Sequence, residues 1–140
     1  GRIVAFNGRH TTGGTPKYMI SPAGAKMPLF PIVVPIQGDV ILVEGIYDMI
    51  NLHDKGLTNA ICTFGTKNIN EDKLQMLSIQ GVNSVHVFFD GDDAGQHAAE
   101  KVKEMCERVG LHTSNIHLKQ SDPGALAEGS VQKLKSKLYG

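Results

Sequence analysis

Short runs of apolar residues alternate along most of the chain with segments whose apolar residues recur at helical spacing. Four runs predict buried strands: "DVILVEG" (39–45), "NAICTFG" (59–65), "SVHVFFD" (84–90) and the weaker "HTSNIHL" (112–118). Helical spacing predicts four helices: over 46–55, from an N-cap at Asn70 to Gly81, over 93–109, and from a cap at Ser130 to Leu138. This alternation predicts an α/β fold, in which about four parallel strands carry helices on both faces.

The same spacing predicts which residues the first and third helices bury. In the first helix the predicted stripe is Ile46, Met49, Ile50 and His53. In the third helix it is Ala94, Ala98, Val102, Met105 and Val109.

The first 38 residues follow a different pattern. The segments "GRIVAFNGR" and "KYMIS" flank the turn-like "TTGGTP", which predicts an antiparallel hairpin with Gly13 and Gly14 in its turn. Four prolines lie between 22 and 35, so we expect an extended connector without a helix there. We therefore divide the chain into a hairpin with its connector, 1–38, and an α/β domain, 39–140.

The composition is that of an ordinary globular domain, with 41% apolar and 20% charged residues among 140. No apolar run approaches the roughly 18 residues of a membrane span, and we expect a cytoplasmic protein. Cys62 and Cys106 lack metal-ligand spacing and are expected to be free, buried thiols. The absence of an initiator Met suggests an excised fragment.

The net charge of zero conceals an uneven distribution. Residues 1–38 contain four basic residues and no acid, whereas residues 39–140 contain all 14 acids and the other 10 basic residues. The balanced total argues against a strongly basic nucleic-acid binder. A basic segment beside an acidic domain could nevertheless hold phosphate next to a metal ion. Chance is the alternative interpretation of four charges.

Three acids follow predicted strands. Glu44 ends the first strand of the α/β domain, and Asp90 and Asp92 end the third, on either side of Gly91. Because sites in parallel sheets lie at the carboxyl ends of the strands, we expect these acids to share one site. Neighbouring carboxylates repel each other unless a proton or cation lies between them, and Mg²⁺ prefers oxygen ligands. Asp-Gly-Asp alone could be an ordinary turn, but Glu44 favours a metal site.

Three further acids have two interpretations each. Asp48, in the first turn of a helix, could face the same site or only complement the helix dipole. For Asp93, at the start of the third helix, capping is favoured. Asp122, which precedes Pro123, could be an outer acid of the site or part of an Asx-Pro turn.

Several carboxylates that could hold Mg²⁺ or Mn²⁺ in an α/β domain are typical of phosphoryl or nucleotidyl transfer. A glutamate near such metals can also transfer a proton. The absence of GxxxxGK[ST] argues against a P-loop NTPase. No Ser/His/Asp or Cys/His arrangement indicates acyl chemistry.

The acidic motifs resemble the TOPRIM domain of topoisomerases, primases and some nucleases. That family has a Glu after its first strand, matched by Glu44, and a DxD after its third, matched by Asp90 and Asp92. "VEGxxD" followed by "DGDxAG" is similar to the bacterial DnaG-type and phage primases and adds Asp48. "GRIVAFNGR" and "GTPKYMISP" resemble the strand pair that precedes TOPRIM in DnaG-type primase cores.

The resemblance implies a TOPRIM fold and the catalytic core of a DNA primase. Such an enzyme would synthesise RNA primers from NTPs on a single-stranded DNA template, with Mg²⁺ or Mn²⁺. The metal-site residues that it implies are Glu44, Asp48, Asp90, Asp92 and Asp122. Glu44 is also the implied catalytic residue, and Arg9 and Lys17 match positions that contact phosphates. A replicative helicase would be contacted through other domains of the parent protein.

Two departures from the family pattern matter. Many primases have a second Asp after the Pro, where this chain has Gly124. The Pro-rich connector is short, which favours a phage-like primase or a primase-helicase. The alternatives are a TOPRIM nuclease or topoisomerase cleavage domain, and a non-catalytic nucleic-acid-binding scaffold. No tyrosine has the motif context of a topoisomerase nucleophile, and the intact acids argue against a scaffold.

Overall fold

The chain folds into a four-stranded parallel sheet covered by helices, with a small separate hairpin at its start. The structure is a computed structural model and describes residues 1–31, 35–119 and 121–140. Within these residues, no helix is long and apolar enough to cross a membrane.

The central sheet has the strand order β4-β3-β5-β6, and every neighbouring pair is parallel. Its strands are β3 (Asp39–Val43), β4 (Ala60–Cys62), β5 (Ser84–Val87) and β6 (His112–Asn115). The chain moves from β3 outward to β4, and then back across β3 to β5. The order of the strands therefore reverses at β3, and the carboxyl ends of β3 and β5 lie side by side at this switch point.

In the described residues, four helices cover the two faces of the sheet, as the alternating pattern predicts. They are α1 (Ile46–Asp54), α2 (Glu71–Ile79), α3 (Asp93–Arg108) and α4 (Glu128–Tyr139). One core lies between the sheet and α2 with α3, where Leu74 and Val102 pack. The second lies between the sheet and α1 with α4, where Leu52 and Val131 pack. Every residue of β4 is buried, because the strand is covered from both sides.

The predicted hairpin forms from β1 (Phe6–Arg9) and β2 (Tyr18–Ser21), which pair in antiparallel register. Gly13 has φ +77°, the left-handed conformation that glycine adopts most readily. The Pro-rich connector contains no helix in its described part, and it pairs with the sheet edge through Phe30 and Cys62. Its residues 32–34 lie outside the described residues. Both cysteines are buried and free, as expected.

Some local predictions were wrong, although each element exists. Helix α4 begins at Glu128 behind Ala127, which makes no side-chain cap, so Ser130 lies inside the first turn and caps nothing. In α1, Leu52 is buried and Ile50 is 51% exposed, because the helix is rotated relative to the predicted stripe. In α3 the buried residues are Gly95, Ala99, Val102 and Cys106. All four predicted strands are shorter than their apolar runs.

Candidate active site

A cleft of about 720 Å³ opens at the carboxyl ends of β3 and β5, and the hairpin forms its opposite wall. Six of the seven residues that the sequence singled out line it: Arg9, Lys17, Glu44, Asp48, Asp90 and Asp122. They come from the hairpin, from the ends of two strands, from the first turn of α1 and from the turn before α4. Asp92, the seventh residue, does not line the cleft.

Glu44 lies directly after β3 and is half-buried. The pKa of its carboxyl is raised to about 7. Burial is the largest cause, and the negative charges of Asp90, Asp48 and Asp92 add to it. Lys17 opposes the shift only weakly, because its effect is the smallest of these influences. The carboxyl group therefore exchanges its proton close to neutral pH.

Asp48 occupies the first turn of α1, where it serves both roles that the sequence left open. Its Oδ2 accepts a hydrogen bond of 3.0 Å from the backbone N–H of Gly45 at the start of the helix. The pKa of Asp48 is raised to about 6. Burial is the largest cause and the charge of Asp90 adds to it, whereas the hydrogen bond from Gly45 favours the charged form and opposes the increase. A carboxylate that caps a helix thus also faces the acidic cleft.

Asp90 and Asp92 have different surroundings, although the charge of Asp92 raises the pKa values of both Glu44 and Asp90. Asp90 faces the cleft, and its pKa is raised by burial and by the charges of Asp122 and Asp92. Asp92 is exposed and is the N-cap of α3, where its Oδ1 accepts a 2.7 Å hydrogen bond from the N–H of Gly95. The predicted capping role of Asp93 therefore belongs to Asp92, and Asp93 lies in the first turn.

Asp122 begins a short 3₁₀ turn, Pro123–Ala125, that closes one end of the cleft. Its Oδ1 accepts a 2.9 Å hydrogen bond from the N–H of Ala125, so the predicted Asx-Pro turn is present at the edge of the site. Gly124 lies against the acids. A Cβ atom at this position would be 2.7 Å from Asp48 Oδ1 and 3.3 Å from Asp122 Oδ1.

The hairpin contributes cations and aromatic rings to the cleft. The Arg9 guanidinium lies over the ring of Tyr47, 4.9 Å from its centroid, and 5.9 Å from that of Tyr18. Lys17 Nζ lies 5.8 Å from the Tyr18 ring. Tyr47 is the second residue of α1, so its contact with Arg9 joins the hairpin to the acidic wall. These cation–π contacts leave the edge of the guanidinium available for an anionic partner.

Comparison with known proteins agrees with this geometry. A family model described as Toprim-like matches residues 41–126, which extend from within β3 to the 3₁₀ turn and contain all five acids. This chain belongs to the Toprim-like family. The TOPRIM fold, with a small antiparallel sheet before it, is confirmed.

The relatives of this Toprim-like chain are DNA primases. It is 36% identical over 116 residues to the DNA primase of Pseudomonas putida, covering 74% of this chain but only 17% of that protein. The zinc-binding and RNA polymerase domains of the Aquifex aeolicus primase superpose with a TM-score of 0.80 and 26% identity, over 98% of this chain and 37% of that one. A DnaG primase catalytic domain bound to single-stranded DNA superposes with a TM-score of 0.78 and 25% identity, over 99% of this chain and 47% of that one. The Toprim-like chain therefore spans a minor part of these relatives.

The donor set in the cleft fits a hard divalent cation. Four carboxylates face one space, and three of them, Glu44, Asp48 and Asp90, have pKa values raised by burial and by the charges of neighbouring acids. No acid of the cleft forms an ion pair with a basic side chain in the described residues. Across 1–31, 35–119 and 121–140, however, no three acidic, histidine or cysteine side chains are already arranged to hold a metal ion. Part of the coordination shell would therefore come from water and substrate oxygens, as is usual for Mg²⁺.

We expect a stability difference that depends on pH when Glu44 is replaced by Gln. The folded pKa of Glu44, about 7, exceeds its ordinary value of 4.5. Its contribution to stability is therefore fully present below pH 4.5 and is lost as pH rises through 7. Glu44→Gln should raise the free energy of unfolding more at pH 8 than at pH 5, by about 1–2 kcal/mol after solvent screening. Urea unfolding at the two pH values measures this difference.

The control is Glu100→Gln on the exposed side of α3. Its effect should be equal at pH 5 and pH 8. If Glu44→Gln also changed the free energy of unfolding equally at pH 5 and pH 8, the carboxyl of Glu44 would not lie in a half-buried site among other acids.

Sequence reasoning missed several residues of the site. Tyr18 and Tyr47 line the cleft beside Arg9, and Asn51 bonds to the turn that contains Pro123. Gln96 Nε2 donates a 3.1 Å hydrogen bond to the backbone carbonyl of Asp90. Of these residues, Asn51 has a signal in the sequence, because it lies three residues after Asp48 and therefore on the same face of α1.

Proposed function

We propose that this chain is the metal-binding catalytic centre of a DNA primase, which joins ribonucleotides on a single-stranded DNA template. The observation that carries the proposal is the cleft in which four acids face a basic hairpin. The acids come from the ends of two strands, from the first turn of α1 and from the turn before α4. The relationship to bacterial DNA primases supports it. In the described residues that line the cleft, nothing favours acyl transfer or a P-loop NTPase.

Glu44, Asp48, Asp90 and Asp122 would hold Mg²⁺ or Mn²⁺, with Asp92 contributing from outside the cleft. A divalent ion bound there would neutralise the triphosphate of the incoming nucleotide and lower the pKa of the primer 3′-hydroxyl. The carboxylates supply the negative charge that fixes such an ion beside the substrate. Burial and then the charges of neighbouring acids raise the pKa values of Glu44 and Asp48, and a bound cation would relieve the repulsion between these carboxylates.

Glu44 would also accept the proton of the primer 3′-hydroxyl. A general base works best when its pKa is close to the operating pH, and Glu44 has a pKa of about 7. Its place at the switch point between β3 and β5 holds it next to Asp90, so the proton acceptor and the metal-binding acids are adjacent.

Arg9 and Lys17 would bind phosphates of the template, the primer or the nucleotide. Both are exposed on the wall opposite the acids, so a phosphate chain that enters the cleft passes between cations and metal-binding carboxylates. The Tyr47 ring orients the Arg9 guanidinium, whose edge can donate two parallel hydrogen bonds to phosphate. Binding of nucleic acid should weaken as salt concentration rises, because counterions are released.

The substrates and partners follow from this assignment. They are single-stranded DNA, an RNA primer and NTPs, and the neighbour solved with single-stranded DNA supports the first of them. A replicative helicase would interact with other parts of the parent protein. Residues 1–38 would act as a phosphate-binding part of the polymerase core and residues 39–140 as its metal-binding domain.

Calorimetric titration of this chain with Mn²⁺, with and without an NTP, tests the proposal. We expect binding that the nucleotide strengthens, because its oxygens complete the coordination. Asp90→Asn should weaken Mn²⁺ binding by more than about tenfold, since a cleft carboxylate interacts with the ion at low effective dielectric. Asp92→Asn should weaken it only about two- to threefold, because Asn also caps helices and the lost charge is exposed.

Equal losses in the two variants would contradict the different roles assigned to Asp90 and Asp92. If the unsubstituted chain bound no Mn²⁺ even with NTP, the proposed catalytic centre would be wrong, and a nucleic-acid-binding scaffold would become the better interpretation.

A further inference from the structure

One face of α1 is built to hold the turn that carries Asp122. Asp48, Asn51 and Lys55 follow one another at intervals of three and four residues, so they lie along the same side of the helix. Asn51 Nδ2 donates hydrogen bonds to two backbone carbonyls of the turn, Pro123 O at 2.8 Å and Leu126 O at 3.1 Å. Both hydrogens of the amide are therefore used.

Lys55 fixes the orientation of this amide. Lys55 Nζ donates a hydrogen bond to Asn51 Oδ1. An ammonium group can only donate, so the oxygen of the amide must face it and the nitrogen must face the turn. The two carbonyls can only accept, which requires the same orientation. Asn51 is thus held from both sides in the one arrangement that satisfies all three partners.

The carbonyls that Asn51 binds lie on either side of Gly124 and Ala125. Within this short segment, Asp122 Oδ1 accepts the N–H of Ala125, and Pro123 is buried. The turn is therefore fixed at its two ends by Asn51 and internally by the side chain of Asp122. A displacement of the turn would move the Asp122 carboxylate with it.

The turn lies directly on Asp48. A Cβ atom at Gly124 would be only 2.7 Å from Asp48 Oδ1, a distance shorter than side chains tolerate. The same point is 3.3 Å from Asp122 Oδ1. Both carboxylates therefore border the same glycine, and a shift of about 1 Å in the turn would change the separation of their oxygens.

We infer that Asn51 is a positioning residue: it fixes the Asp122 turn against α1, so that Asp48 and Asp122 present oxygens to the same cation. This inference rests on the proposed metal-dependent function. Asn51 does not line the cleft and would not touch the metal or the substrate. Its effect passes through the backbone of the turn. If the hydrogen bonds of Asn51 had only a structural role, they would stabilise the chain without changing its affinity for the metal.

The test compares Asn51→Ala and Asn51→Asp with a control, His53→Ala, and uses two measurements. His53 Nε2 contacts the carbonyl of Ala60 at 2.7 Å, so the control removes a hydrogen bond between α1 and backbone without touching the turn. The first measurement is Mn²⁺ affinity by calorimetry in the presence of NTP. The second is hydrogen exchange of the Ala125 amide by NMR, without metal.

We expect Asn51→Ala to accelerate exchange at Ala125 and to weaken Mn²⁺ binding about tenfold, the lower end of the losses for groups that orient metal ligands. Asn51→Asp keeps the shape of the side chain but cannot donate to the carbonyls. It should also weaken Mn²⁺ binding, although it adds a negative charge near the cation. His53→Ala should leave both measurements unchanged, even if it lowers the melting temperature.

Three outcomes would overturn the inference. Unchanged exchange at Ala125 in both Asn51 variants would show that the turn does not depend on this residue. Faster exchange with unchanged Mn²⁺ affinity would show that the position of the turn does not matter for the metal. If His53→Ala lost as much Mn²⁺ affinity as Asn51→Ala, the effect of Asn51 would be explained by the general stability of the chain and not by the position of the turn. If the unsubstituted chain bound no Mn²⁺, the proposed function itself would fail first, which the calorimetry of that chain shows separately.

Discussion

In a DNA primase whose catalytic centre is this chain, as we propose, Glu44→Gln should reduce the rate of primer synthesis by at least about a hundredfold, the usual contribution of a positioned general base. Gln has nearly the same shape as Glu but cannot accept a proton, and it binds a divalent cation more weakly. The fold should be retained, because Glu44 is only half-buried and lies after the last residue of β3. A primer-synthesis assay on single-stranded DNA with labelled NTPs measures this loss.

Two features separate the proton-acceptor role of Glu44 from a role in metal binding alone. If Glu44 accepts the proton, the rate of the unsubstituted enzyme should rise with pH through about 7, and Glu44→Gln should remove that dependence. Raising the Mn²⁺ concentration should not restore the rate. Recovery at high Mn²⁺ would instead assign Glu44 to the metal site only. Full activity of Glu44→Gln would exclude both roles, and Glu100→Gln serves as the matched control for loss of a negative charge.

The position of the main acids could be predicted from the sequence because it follows from topology. Once β3 and β5 are parallel neighbours, the residues after them must lie at the same edge of the sheet. Glu44 and Asp90 are therefore placed by the strand pattern before any side-chain detail is known. The hairpin was also predictable, since its turn residues and flanking strands are local in the sequence.

What the sequence could not determine depends on tertiary packing. "DGDD" offers several carboxylates as the cap of α3, and a shift of one residue exchanges the roles of Asp92 and Asp93. The contact of Arg9 with Tyr47 joins segments 38 residues apart, and nothing local indicates it. Asn51 likewise reads as a polar residue on a helix until the turn beyond β6 is placed against it. These interactions arise between elements and not within them.

The buried face of α3 was also predicted wrongly from the sequence, and this face contacts the backbone of Asp90 in the site. A count of apolar residues favoured a stripe that begins at Ala94, and glycine adds nothing to such a count. In the structure Ala94 is exposed and Gly95 is buried. The helix is rotated so that its smallest residue faces the end of β5. The reason is the close approach of the helix to the backbone of Asp90.

That close approach predicts that Gly95→Ala will destabilise the chain and weaken the metal site. A Cβ atom at Gly95 would be 2.2 Å from the backbone oxygen of Asp90 and 3.0 Å from its carbonyl carbon. Neither the helix nor the strand end can relieve this contact by a side-chain rotation, so one of them must move. We expect a loss of about 3 kcal/mol in the free energy of unfolding, the upper part of the usual range for overpacking. Urea unfolding measures this loss, and calorimetry should show Mn²⁺ binding weakened by more than about tenfold, because Asp90 moves with its backbone.

The sign of this effect is what makes the prediction informative. In an ordinary helix, replacing Gly by Ala stabilises by about 1 kcal/mol. Gly129 provides the matched control, because it lies in the first turn of α4 and a Cβ there would meet nothing within 4 Å. Gly129→Ala should therefore be neutral or stabilising and leave Mn²⁺ binding unchanged. If Gly95→Ala behaved like Gly129→Ala, α3 would not press on the backbone of Asp90, and the position of this acid would have to be explained by the strand alone.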